Sequence, residues 1–245
     1  MDRRPPGMIE VIALDGDDTL WHSEQLFVDT QARFRELVAP YVDVDEAHLD
    51  ALLLEVERRN LPTFGYGVKA FTLSLVETAI EVTDGDIPAS RLQAILDLGR
   101  VLMDHPVQLL DGVAEAVDAL TDRYRVMIIT KGDLLHQESK IARSGLDHLL
   151  WQAEVVSEKD ERTYRRILER HGIDPATFVM VGNSVRSDVL PVLALGGHAV
   201  HIPYHVTWAL EEVEPDPDRA FAVLGSIREL PGHIEALDRE GPCPS

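Results

Sequence analysis

The sequence is poor in cysteine, in aromatic residues and in positive charge. Its single cysteine, Cys243, excludes an intrachain disulfide and a cysteine metal cluster. Aromatic residues make up 6% of the chain, and 23 Lys and Arg stand against 43 Asp and Glu, a formal net charge of -20. That balance argues against a nucleic-acid polymer as partner, because a phosphate backbone needs a basic footprint. A bound cation or a few Lys and Arg side chains can still hold a small anion. No segment approaches the roughly 20 apolar residues of a membrane-spanning helix. Arg3 and Arg4 precede only a short apolar run that ends in Asp15, unlike a secretory signal. The expectation is a cytoplasmic protein with no membrane partner. Repeats and low-complexity tracts are also missing, and what remains, 45% hydrophobic and 27% charged, is ordinary for a globular protein.

The apolar run Ile9 to Leu14 suits a buried strand of a parallel sheet. From Ser23 the apolar spacing turns helical. Helices are predicted over Ser23–Val38, Asp45–Arg59, Val68–Val82 and Ala89–Met103, with Ser23 and Asp43 or Asp45 as caps. Asn60 to Lys69 reads as the loop between the second and third. Beyond Asp111, strand and helix alternate. Strands are predicted at Arg125–Thr130, Ala153–Val156, Phe178–Val181, Ala199–Ile202 and Ala220–Leu224. Helices are predicted at Val113–Leu120, Leu134–Ser144, Asp160–His171, Ser187–Leu195 and Ile227–Leu237. This alternation predicts an α/β fold, a Rossmann-like parallel sheet with helices on both faces. The predicted organisation is an α/β core of residues 1–20 and 106–245 and an inserted α-helical cap domain of residues 21–105.

Asp15-Gly16-Asp17-Asp18-Thr19 follows the first strand directly. Open α/β sheets bind ligands at the carboxyl ends of their strands. Three carboxylates so close together repel one another unless a cation sits among them, and hard divalent ions take such oxygen ligands. Taken alone, the segment also reads as an acidic turn before a helix. The other strands add to it: Thr130 and Lys131 end the second, Lys159 follows the third, and Gly182-Asn183-Ser184-Val185-Arg186-Ser187-Asp188 opens from the fourth. Aspartate, hydroxyl, lysine and aspartate on one sheet edge form a coherent reactive set.

These four ordered motifs resemble those of the haloacid dehalogenase-like (HAD) hydrolase superfamily, in its phosphatase branch with a helical cap inserted after the first strand. Asp15 to Leu20 is similar to the family's first motif, Asp-x-Asp-x-Thr-Leu. Thr130 resembles the second motif, Lys159 the third and Gly182 to Asp188 the fourth. The resemblance implies a Mg2+-dependent phosphatase acting on a small phosphorylated metabolite. Asp15 would be the nucleophile and form an aspartyl-phosphate; Asp17 would be the general acid and base. Asp15, the main-chain carbonyl of Asp17 and Asp188 would hold Mg2+, which offsets the repulsion between carboxylate and phosphate. Thr130, Lys131 and Lys159 would hold phosphoryl oxygens, and Tyr66 and Lys69 are candidate substrate contacts from the cap.

Two departures qualify the resemblance. Asn183 stands where the fourth motif usually carries an acidic residue, and it can still offer a carbonyl oxygen near the metal. The dehalogenases that name the superfamily lack an acidic residue at the position of Asp17, so its presence favours phosphoryl chemistry over carbon–halogen cleavage. A phosphomutase or another phosphotransferase would use the same groups. A catalytically silent binding protein on this fold is the non-enzymatic alternative.

Overall fold

The computed structural model describes residues 9–213 and 221–240. Among these residues six strands form one wholly parallel sheet: β1 (Val11–Leu14), β2 (Arg125–Lys131), β3 (Gln152–Val156), β4 (Phe178–Gly182), β5 (His198–His201) and β6 (Ala222–Val223). Their order is β3-β2-β1-β4-β5-β6, so the chain winds outward on one side of β1 and then on the other. The carboxyl ends of β1, β2 and β4 therefore border the switch point at which such sheets open a crevice. Ile12 lies in register with both Val126 and Val179.

Side chains alternate across a strand. Ile12, Leu14, Ile128 and Val181 thus enter one core, together with Val117 and Leu120 of α5 (Val113–Thr121) and Ile234 of α9 (Leu230–Glu240). Val11, Ala13, Met127 and Met180 enter the other, with Tyr164, Ile167 and Leu168 of α7 (Glu161–His171). Burial on both faces explains the unbroken apolar runs that mark these strands in the sequence.

The chain divides into two compact units, one formed by the described residues of 1–22, 107–131 and 137–245, the other by 23–106 and 132–136. The second unit holds α1 (Glu24–Val38), α2 (Glu46–Phe64), α3 (Val68–Val82) and α4 (Ala89–Asp104) around Phe34, Leu53, Phe71, Leu75 and Ile95. Gly99 lets α4 lie against α3: a Cβ there would stand 2.2 Å from Thr72 Oγ1.

Several local expectations change. Asn60 to Phe64 is the last turn of α2 and not loop, because the Asn60 amide is drawn inward to Ser74 Oγ (3.2 Å) and Glu77 Oε2 (2.5 Å). Pro62 costs the helix only one donor there. The turn shrinks to Gly65-Tyr66-Gly67, whose two glycines take positive φ. Asp45, not Asp43, caps α2 by accepting from His48 N, while the Ser23 side chain makes no cap bond to α1. The helix predicted from Ser187 begins instead as a π-helical turn, Val185–Val189, followed by α8 (Leu190–Ala194). The last strand covers only Ala222 and Val223, and Ala220 lies outside the described residues. Among the described residues no helix is long and apolar enough to cross a membrane.

Candidate active site

Asp15 leaves β1 with its N–H bonded to Val181 O of β4 (2.8 Å), which aims the following loop over the carboxyl edge of the sheet. That loop is tight. A Cβ on Gly16 would stand 2.6 Å from the Trp21 ring and 3.2 Å from Thr130 Oγ1, and Asp18 sits at φ 59°. Asp tolerates this left-handed conformation better than most residues. Thr130, near the end of β2, is 1% exposed, and its hydroxyl has no hydrogen-bond partner among the described residues. A buried hydroxyl left in this way costs about 1–3 kcal/mol, so a ligand oxygen beside it would be stabilised.

The Lys159 ammonium bridges Asp15 Oδ1 (2.5 Å) and Asp188 Oδ1 (2.6 Å), all three side chains being buried. The π-helical turn carries Asp188 back over its own loop, where Oδ2 accepts from Ser184 N (3.0 Å). Gly182 is obligatory here, since a Cβ would fall 2.1 Å from that oxygen. Burial pushes the Asp15 carboxyl up to about 7; Lys159 pulls against this, and the charges of Asp188 and Asp17 add to the rise. Burial also works against the charge of Lys159, but the two carboxylates outweigh it and raise its pKa.

Asp17 has a different setting. Its Oδ1 accepts from Trp21 Nε1 (2.7 Å) and Lys140 Nζ (2.5 Å), and its Oδ2 accepts from Gln137 Nε2 (2.8 Å). Burial acts to raise this carboxyl too, but Lys140, Gln137 and Trp21 hold it below the usual carboxylate range. Two aspartates two residues apart are thus driven in opposite directions, Asp15 toward its neutral form and Asp17 toward its ionised form.

One terminal atom of the Asn183 amide lies 3.2 Å from Asp15 Oδ2 and 3.2 Å from the main-chain oxygen of Asp17. In an octahedral shell with bonds of about 2.1 Å, neighbouring oxygens are about 3.0 Å apart. Both spacings are close to that value when the amide oxygen faces inward. With the amide nitrogen facing inward instead, it donates to both oxygens. Among the described residues no three His, Cys, Asp or Glu side chains are grouped to hold a metal. This set draws instead on a carboxylate, a main-chain carbonyl and an amide.

A family model for haloacid dehalogenase-like hydrolases matches residues 9–196. The chain belongs to this family. Among solved structures it is similar to a haloacid dehalogenase-like family hydrolase from Xanthomonas campestris, with 43% identity, a TM-score of 0.86, and coverage of 98% of this chain and 96% of that one. A 2-haloacid dehalogenase from Pseudomonas syringae pv. Tomato DC3000 shares the fold at 22% identity and TM-score 0.64, over 94% of this chain and 99% of that one. So does a "predicted phosphoglycolate phosphatase" from Haemophilus somnus 129PT, at 16% identity and TM-score 0.60, over 91% and 96% of the two chains. No curated protein matches the chain. Relatives named for both chemistries share this architecture, so membership of the HAD-like family makes the protein a hydrolase without choosing its substrate.

Within this hydrolase the core unit brings together Asp15, Asp17, Thr130, Lys159, Asn183 and Asp188. Lys131 is differently engaged: its ammonium bonds Glu211 Oε1 (2.5 Å) and Ser187 Oγ (3.2 Å). Glu211 also accepts from Ser184 Oγ (2.7 Å) and Ser187 Oγ (2.6 Å) through Oε2, and so ties the segment after β5 to the fourth motif. Tyr66 and Lys69 belong to the helical unit, where Lys69 Nζ binds both oxygens of Asp133 (2.9 and 3.0 Å). Sequence reasoning misses Glu211, Gln137 and Lys140. A signal for the last two exists in α6 (Leu134–Ser144), whose pattern is inverted: Leu134 and Leu135 are exposed, whereas Gln137 and Lys140 are buried.

Proposed function

We propose that this hydrolase is a phosphatase of small phosphorylated metabolites that works with Mg2+ through an aspartyl-phosphate. The observation that carries the reading is the second carboxylate, Asp17, held by three donors beside the nucleophile's loop. A halide departs as a stable anion and needs no proton. An alkoxide departing from a phosphate ester needs one, and a fixed carboxyl can deliver it from its protonated form. No nucleic-acid polymer or membrane enters this reading, and we take the protein to be cytoplasmic.

Asp15 attacks phosphorus, and the bond to the ester oxygen breaks while Asp17 protonates that oxygen. Asp17 then takes a proton from the water that attacks the aspartyl-phosphate, which releases inorganic phosphate and restores Asp15. Lys159 orients Asp15 and, with the Thr130 hydroxyl, offers donors to the phosphoryl oxygens. Asp188 holds Lys159 in place. Asp15 Oδ2, the carbonyl of Asp17 and the Asn183 amide oxygen would hold Mg2+, together with Asp188, which shares Lys159 with Asp15. When bound, that ion supplies positive charge between the attacking carboxylate and the phosphoryl group. Because Glu211 engages Lys131, we assign Lys131 chiefly to shaping the fourth motif, with Thr130 and Lys159 as the nearer phosphate ligands.

The test is phosphate release from an aryl phosphate and a metabolite panel, with and without Mg2+, for the native chain and Asp15→Asn. Metal-dependent release that the substitution abolishes is the expected result. Halide release from 2-haloacids by the native chain, with no phosphatase activity, would overturn the reading.

A further inference from the structure

Two of the three side chains that hold Asp17 have no part in the reaction above. Lys140 and Gln137 lie three residues apart on one face of α6. They are 8% and 3% exposed. A buried lysine is costly unless a specific partner offsets its desolvation, and here that partner is Asp17 Oδ1, at 2.5 Å.

The hydrogen bonds leave Asp17 little freedom. A carboxylate oxygen has about two acceptor sites. Trp21 Nε1 and Lys140 Nζ fill both on Oδ1. Gln137 Nε2 fills one on Oδ2, and one remains. The Gln137 amide cannot turn over cheaply, because Nε2 also donates to the main-chain oxygen of Lys131 (3.0 Å). Its Oε1 has no partner among the described residues, so the amide's orientation is set by its donors alone. Trp21, fully buried beneath Gly16, gives Oδ1 a rigid anchor.

We propose that Lys140 and Gln137 are positioning residues for proton transfer: they lock the Asp17 carboxylate so that its Oδ2 is the one oxygen that exchanges a proton with the leaving group and the attacking water. The inference rests on the phosphatase reading for its chemistry, but the locking can be tested without it. Misplacing an acid harms esters in proportion to how much their leaving oxygen needs a proton. An aryl oxide leaves unaided far more readily than an alkoxide.

The experiment compares Lys140→Met, Gln137→Leu and Lys140→Arg with the native chain on an aryl and an alkyl phosphate. The Met and Leu variants are expected to lose about 10²-fold more kcat on the alkyl ester than on the aryl ester, with Lys140→Arg retaining more alkyl activity than Lys140→Met. Equal losses on both esters would overturn the inference, since a general loss of structure does not select by leaving group. The ¹H–¹⁵N resonance of the Trp21 indole, bonded to the same Oδ1, is a readout independent of turnover. It is expected to shift in Lys140→Met and Gln137→Leu, and an unmoved resonance in folded variants overturns the locking. Failure of the native chain on every ester, with the indole shift present, would overturn the phosphatase reading and leave the locking standing.

Discussion

Without a metal, the Asp15 site should make this protein less stable as pH rises, the reverse of what a salt-bridged aspartate does. Folded Asp15 keeps its proton up to about 7, against 3.8 as its ordinary value. Between those values the folded state binds more protons than the unfolded one, so stability from this group is full below 3.8, falls as pH rises, and levels off above about 7. From pH 5 to pH 8 the window covers about two pKa units, or roughly 3 kcal/mol at about 1.4 kcal/mol per unit. Asp17, Asp133, Asp160 and Glu211 are shifted downward, so their slopes have the opposite sign and fall below about pH 5, outside this window. The assay is urea unfolding in a chelator at pH 5 and pH 8, followed by tryptophan fluorescence, since Trp21, Trp151 and Trp208 all belong to the core unit. Asp15→Asn should gain about 3 kcal/mol on the native chain between the two pH values, or roughly 6–12 °C in Tm. Saturating Mg2+ should shrink that gain by favouring ionised Asp15. A native-to-variant difference that stays constant to within about 1 kcal/mol from pH 5 to pH 8 would refute the argument.

Asn183→Asp should bind Mg2+ about tenfold or more tightly by calorimetry, because a carboxylate replaces a neutral amide oxygen. The same variant should be less stable when metal-free, having lost the amide donor to Asp15 and Asp17; equal Mg2+ affinity in the two proteins would count against the three-oxygen set. Gly99→Ala should destabilise the helical unit by about 1–3 kcal/mol through the clash with Thr72, outweighing the helix-propensity gain of about 1 kcal/mol. Thermal unfolding by far-ultraviolet circular dichroism reads this, and a stabilised variant would show that α3 and α4 do not need the glycine.

Much of the candidate site is legible in the sequence because covalent order and strand geometry cooperate. A parallel strand buried on both faces must read as an apolar run, and its next residue must emerge at the carboxyl edge. Asp15 after β1, Thr130 in β2 and Gly182 at the end of β4 therefore stand out as a set from residue order alone. Spacing also identifies α1 to α4 as helices, since their apolar stripes recur at the helical period. Asn60 to Phe64 is not legible as helix, because Pro62 breaks the pattern and the inward turn of the Asn60 amide depends on Ser74 and Glu77 in the next helix.

By itself, then, the sequence determined the α/β core, its interruption by helices and the reactive aspartates, all of which follow from local periodicity and strand-end placement. Only the tertiary structure decided what each charged group faces. Lys140 and Gln137 reach Asp17 across more than a hundred residues of chain, Lys159 settles between Asp15 and Asp188, and Glu211 engages Lys131. Local propensity carries no information about such pairings. They are set by how the helices pack on the sheet, and in a buried site of like charges they decide the direction in which each carboxyl's pKa moves.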